Sequence, residues 1–225
     1  MMRKTTHTVP DVLIDKAQQE FAFNGFKTPI NKPTGNFFYD PWEIKEEFKG
    51  TVWDDILKTL PYTVGEARLI NLKYGVCYQS HADIDDRYHL NIQGDMSYLV
   101  NLDNDTMHRI TNDGYWYELD AGPRHSAMNV GYVERIQLVV RKLLSRNTVD
   151  NPIKITITST SDNVDENRFR FDNSVSSLLN RYNKEGIISD FFPTLDIVTL
   201  TINNEYLEEL TKALPSNFMI RNNND

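Results

Sequence analysis

At 225 residues, 40% apolar and 25% charged, the chain can bury a real core and hold one large domain, or one domain with a small appendage. Its 24 basic and 32 acidic residues give a formal charge of −8, which repels phosphate backbones, so no nucleic acid is expected as a partner. No apolar run approaches the roughly 18 residues needed to cross a bilayer, and Met1–His7 has no apolar segment behind its basic pair, so neither a membrane nor a secretory signal is expected. Cys77 is the single cysteine, which excludes an intrachain disulfide framework and a zinc site of several thiolates. It reads as a half-buried strand residue in a cytoplasmic protein. Oligomeric state is not indicated.

Residues 1–40 read as an irregular N-terminal arm punctuated by Pro10, Gly25, Pro29, Pro33 and Gly35, with a short helix over Asp11–Phe23. Its aromatics (Phe21, Phe23, Phe26, Phe37, Phe38, Tyr39) suit packing onto the main body. From Pro41, the residues Trp42, Ile44, Phe48, Trp53, Ile56, Leu57 and Leu60 fall at roughly helical spacing, broken at Gly50 and closed by Pro61. One or two helices bracing a sheet are expected there.

Eight short alternating runs follow: 67–73, 76–81, 87–92, 97–102, 106–111, 116–119, 125–130 and 135–144. Turn residues such as Gln93-Gly94-Asp95, Asp103-Asn104-Asp105 and Asn112-Asp113-Gly114 separate them. This spacing predicts a mainly β domain over 41–148, a jelly roll or similar small barrel. Residues 149–225 change character: strands at 153–160 and 196–202 alternate with helices at 175–182 and 205–214, which predicts a small α/β appendage with a frayed tail from Arg221.

Chemistry concentrates in Ser80–Leu90 (SHADIDDRYHL). If this run is extended, His81 and Asp83 share a face, and so do Arg87 and His89. Two imidazoles and one carboxylate can occupy three positions of an octahedral ferrous ion and leave the others open. His81, Asp83 and His125, the last opening another alternating run, are the candidate triad. The competing reading of His81 and Asp83 is a solvated strand face. Arg135 interrupts an apolar strand, and a guanidinium pointing into a barrel needs an anion. That anion is either a protein carboxylate such as Glu134 or the distal carboxylate of a dicarboxylic co-substrate; facing solvent is the third option. For Arg87 and His89 the plain reading pairs the arginine with Asp85 or Asp86 and leaves a satisfied core histidine. His108 has no acidic neighbour at ligand spacing, and no phosphate loop, dinucleotide fingerprint, calcium loop or GxSxG elbow is present.

The series Gly65-Glu66-Ala67-Arg68-Leu69-Ile70-Asn71-Leu72, Gly75, His81-x-Asp83-x3-Arg87-x-His89-Leu90, Gly114-x4-Leu119-Asp120 and His125-x9-Arg135 resembles the aspartyl/asparaginyl β-hydroxylase family over about residues 60–144. The resemblance implies a double-stranded β-helix (jelly roll, cupin-like) and an iron(II)- and 2-oxoglutarate-dependent dioxygenase. Its substrate would be an amino acid, free or within a peptide. It implies iron on His81, Asp83 and His125, the distal carboxylate of 2-oxoglutarate on Arg135, and Arg87 and His89 beside the co-substrate, with dioxygen as the oxidant. The alternatives are a non-catalytic jelly-roll binding module and an oxygenase acting on a nucleobase. Arg141, six residues after Arg135, suits the nucleobase reading, but Gln137, Val139 and the acidic charge do not.

Overall fold

A computed structural model describes residues 2–24, 29–160, 171, 174–194 and 197–223. The chain divides into two compact units, one of residues 1–79, 86–120 and 125–143, the other of residues 80–85, 121–124 and 144–225.

The first unit opens with strand β1 (Met2–Thr8), helix α1 (Asp11–Asn24), the short pair β2 (Asn31–Pro33) and β3 (Trp42–Ile44), and helix α2 (Val52–Leu57). Two expectations are corrected here. Residues 2–8, read as irregular, form a strand paired with residues 115–119. Both its faces are largely polar, so it shows no apolar alternation, and it is held instead by Arg3 on Glu118 (2.7 Å) and Lys4 on Asp113 (2.8 Å). Trp42 and Ile44, spaced as if helical, belong to β3, where pairing with β2 wins over local periodicity. Gly25 and Phe26 lie outside the described residues.

Eight strands then follow: β4 (Val64–Leu72), β5 (Val76–Cys77), β6 (Arg87–Gln93), β7 (Ser97–Asn101), β8 (Thr106–Ile110), β9 (Tyr115–Leu119), β10 (His125–Asn129) and β11 (Arg135–Lys142). They form two antiparallel sheets, ordered β1-β9-β6-β11-β4 and β5-β10-β7-β8. The chain passes from the first sheet to the second after β4, β6 and β9 and returns after β5, β8 and β10. This strand order is that of a double-stranded β-helix, so the jelly roll rests on the topology itself.

Alternation gives the larger sheet two unlike faces. Leu69, Leu138, Leu90 and Trp116 align across four neighbouring strands, and all are buried. Against this row pack Ile14, Ala17 and Phe21 of α1 and Val52, Trp53 and Ile56 of α2, the main core of the unit. Each such leucine contributes roughly 1.5–3 kcal/mol by leaving water. The buried indoles keep their N–H groups satisfied, Trp53 donating to Oε1 of Glu20 (2.9 Å) and Trp116 to Oγ1 of Thr59 (2.8 Å). The helices thus brace one face of the sheet. The opposite face carries the alternate residues Arg87, His89 and Asn91 of β6 and Arg135, Gln137 and Val139 of β11, which are also buried.

The second unit contains strand β12 (Pro152–Ser159), helix α3 (Ser176–Lys184), strands β13 (Ile188–Pro193) and β14 (Ile197–Asn203), helix α4 (Leu207–Ala213) and strand β15 (Phe218–Asn222). Its sheet is antiparallel, ordered β13-β14-β12-β15. Ile155, Leu200, Ile202, Leu179, Tyr182 and Leu210 are fully buried in it. The tail expected to fray from Arg221 instead continues β15, where Arg221 pairs with Thr156 and Ile220 with Ile157. Asp196, expected to open a strand, and residues 224–225 lie outside the described residues. Among the described residues no helix is long and apolar enough to cross a membrane.

Candidate functional site

Arg135 is the first residue of β11, opposite Leu72 of β4. The turn after β6 fixes where β11 begins. Gly94 has φ +89°, and a Cβ there would sit 3.1 Å from Cα of Arg135 and 3.3 Å from the carbonyl oxygen of Glu134. Only glycine allows both the backbone angle and the approach. Gln93 donates to that same carbonyl (3.1 Å), and Asn91 donates to the carbonyl of Gly94. The guanidinium that results is 1% exposed, and its Nε and Nη1 have no hydrogen-bond partner among the described residues. Among the described residues no carboxylate pairs with it. Its charge faces the ring of Tyr78, 5.9 Å away, whose hydroxyl donates to the carbonyl of Asn71. Burial pulls the Arg135 pKa down to about 10, the phenol of Tyr78 opposing, so the group stays cationic at neutral pH. Glu134, one of the partners considered for it, instead accepts from Nδ2 of Asn71 (2.8 Å).

Beside it on the same face stand His89, Gln137 and Asn91. Gln137 and Asn91 are register partners, and His89 lies opposite Val139. Nδ1 of His89 lies 3.2 Å from Oε1 of Gln137, which only accepts, so Nδ1 donates. Burial first, then the charges of Arg135 and Arg87 and the nearby His125, drive the His89 pKa down to about 3 against the bond to Gln137. The imidazole is therefore neutral, and its Nε2 is an acceptor without a donor. Among the described residues, Nε2 of Gln137 and Oδ1 of Asn91 are likewise without partners. Native interiors leave few such groups, and a cluster of them on one face marks where a polar molecule completes the bonding. Arg87 is buried on β6, opposite Arg141 in the register. Arg141 is met by Glu66 (3.8 Å) and by the rings of Phe37 and Phe38, each 4.6 Å away.

The metal candidates are placed differently from the expectation. Strand β5 ends at Cys77, so His81 and Asp83 do not share the face of a strand; residues 82–86 are irregular and His81 makes only an isolated bridge. The backbone N–H of Asp83 donates to the carbonyl of Ala121 (2.9 Å), which fixes a loop rather than a ladder. In that loop Nε2 of His81 lies 3.9 Å from Oδ2 of Asp83. His125 opens β10 opposite Asn101 and is buried. One ligand atom each of His81, Asp83 and His125 falls within 4.8 Å of the other two. Two imidazoles and a carboxylate at this separation fit a divalent ion of the iron or manganese kind, the carboxylate satisfying its charge and the imidazoles its preference for nitrogen. Cys77 is exposed rather than half-buried, and His108 lies on β8 beside Thr106 (3.3 Å), outside the cluster.

Gln137 and Asn91 were not singled out as site residues. Their signal was present: in RYHLNIQ and RIQLVV polar residues alternate with apolar ones inside strands buried on both faces. A separate cavity of about 660 Å³, lined among others by Arg3, His7, Tyr62, Tyr88, Glu118 and Lys142, includes none of the candidate site residues.

No family model matches the chain, and neither does any curated protein. Among solved structures it is similar to the capsular polysaccharide assembling protein CapF from Staphylococcus aureus, at 14% identity and TM-score 0.30, over 44% of this chain and 38% of that one. It is also similar to CapF with the inhibitor 3-isopropenyl-tropolone, at 12% identity and TM-score 0.31, over 51% of this chain and 31% of that one. The chain thus spans well under half the length of these proteins, and a likeness at this level bears on neither fold nor function.

Proposed function

We propose that this chain is an iron(II)- and 2-oxoglutarate-dependent dioxygenase that hydroxylates an amino acid, free or within a peptide. The observation that carries the reading is a buried charge that no carboxylate among the described residues neutralises: Arg135 is 1% exposed, and two of its N–H groups have no partner among those residues. A guanidinium fork of this kind matches a carboxylate in two parallel hydrogen bonds. The proximity of His81, Asp83 and His125 supports a metal, and the family resemblance around them names iron.

On this reading Arg135 takes the distal carboxylate of the keto acid, and Nε2 of Gln137 adds a donor nearby. His89, held neutral, keeps a second positive charge away from Arg135 and offers an acceptor to whatever enters. The leucine row and the two helices behind the sheet keep water from the reverse side, so these groups act in a medium where hydrogen bonds are strong. Iron, when bound, supplies the oxidation of an unactivated C–H bond by dioxygen, a step no side chain can perform. The test is aerobic conversion of 2-oxoglutarate to succinate by iron-loaded protein. Turnover lost in both His81→Ala and Arg135→Met is the expected result. Turnover retained in His81→Ala, or absence of any succinate, overturns the reading.

A further inference from the structure

The two loops that bear on the candidate metal ligands are tied to helix α3. Asn180 of that helix is 4% exposed, and its Nδ2 donates to the carbonyl of Ile84 (2.9 Å), the residue after Asp83. The other end of the same side chain lies against Gly122, in the segment that leads directly into His125. A Cβ added at Gly122 would fall 2.5 Å from Oδ1 of Asn180 and 2.8 Å from its Cγ. The two loops are themselves tied by the N–H of Asp83 on the carbonyl of Ala121 (2.9 Å). One amide therefore spans the carbonyl of one loop and the glycine of the other. The helix is anchored in turn, since Asn183, one turn on, donates to the carbonyl of Ser145 (3.1 Å) and accepts from its N–H (3.2 Å).

This arrangement does not follow from the jelly roll, whose eight strands end at Lys142. A loop carrying two ligands has few ladder bonds to hold it, and ligand groups off by an ångström lose much of their affinity. Residues that orient ligands from behind cost 10–100-fold in metal affinity when removed. Asn180 has the reach, the burial and the two contacts for that task.

We propose that Asn180 is a positioning residue for the metal site, and that helix α3 serves through it to hold the His81–Asp83 loop and residues 121–124 in place. The inference rests on the metal reading of His81, Asp83 and His125.

Manganese(II) binding, followed by the loss of its free-ion resonance, tests this without turnover. Wild-type protein is expected to take one ion per chain and His81→Ala none. Asn180→Ala is expected to bind about 10–100-fold more weakly while keeping the wild-type circular dichroism. Gly122→Ala, which presses on Asn180 from the loop side, serves where Asn180→Ala does not fold, and the same loss is expected. Wild-type affinity in a folded variant overturns the proposal and leaves the metal reading standing. No binding by the wild-type protein overturns the metal reading itself.

Discussion

Arg135→Met is expected to make the protein more stable and useless to an acid. Folding lowers the pKa of this guanidinium from its ordinary value to about 10, chiefly by burial. At about 1.36 kcal/mol for each pKa unit, keeping the charge inside costs on the order of 3 kcal/mol. Because the folded pKa is the lower one, the cost is present in full below about pH 10 and fades as the pH rises above it. Methionine keeps most of the apolar stem and removes the charge, so unfolding in urea at pH 7 should show a gain of about 2–3 kcal/mol. For a chain of this length that is a rise in Tm of about 5–10 °C. Saturating 2-oxoglutarate should stabilise the wild type, by about 2.7 kcal/mol at a hundred times its Kd, and leave the variant unmoved. A variant less stable than wild type by 2 kcal/mol or more would refute the reasoning, since it would mean that the protein already supplies Arg135 with a counter-charge.

Three further outcomes follow from the same packing. Gly94→Ala should lose about 1–2 kcal/mol in denaturant unfolding, because alanine resists φ +89° and its Cβ meets Cα of Arg135 at 3.1 Å. Leu138→Ala, at the middle of the buried leucine row, should cost about 2–5 kcal/mol in the same assay. His89 is neutral in the fold with a pKa near 3, below its ordinary 6.5, so stability is full above about pH 6.5 and falls as the pH drops toward 3. His89→Phe should flatten that part of the stability-against-pH curve; an unchanged slope would show that the histidine is not buried neutral.

The jelly roll was legible because its signals are local. Gly94, Asp103-Asn104-Asp105 and Asn112-Asp113-Gly114 fall at turns between strands, with Gly94, Asp105 and Gly114 at positive φ. The strands between them alternate cleanly, since one face of each packs on helices or core. What failed was held by partners far away in sequence. Strand β1 is polar on both faces and depends on Glu118 and Asp113, more than a hundred residues on. Residues Trp42–Ile44 are too few to show a period, and β15 reads as a tail until it meets β12. His81 and Asp83 do not share a strand face: they lie in a loop that Ala121 and Asn180 help to tie, across 38 to 96 residues of sequence. The alternation in RIQLVV marks Gln137 as a polar residue inside a buried strand, but its partner, His89 at 3.2 Å, lies 48 residues away in sequence.

The most direct measurement is titration of 2-oxoglutarate into iron(II)-loaded protein under anaerobic conditions, followed by calorimetry. Saturable binding at one molecule per chain is predicted, weakened at least about thirtyfold in Arg135→Met, the loss expected when one partner of a buried charged pair is truncated. Binding of equal strength in wild type and variant, or no binding at all, would contradict the assignment of Arg135 as the seat of the acid.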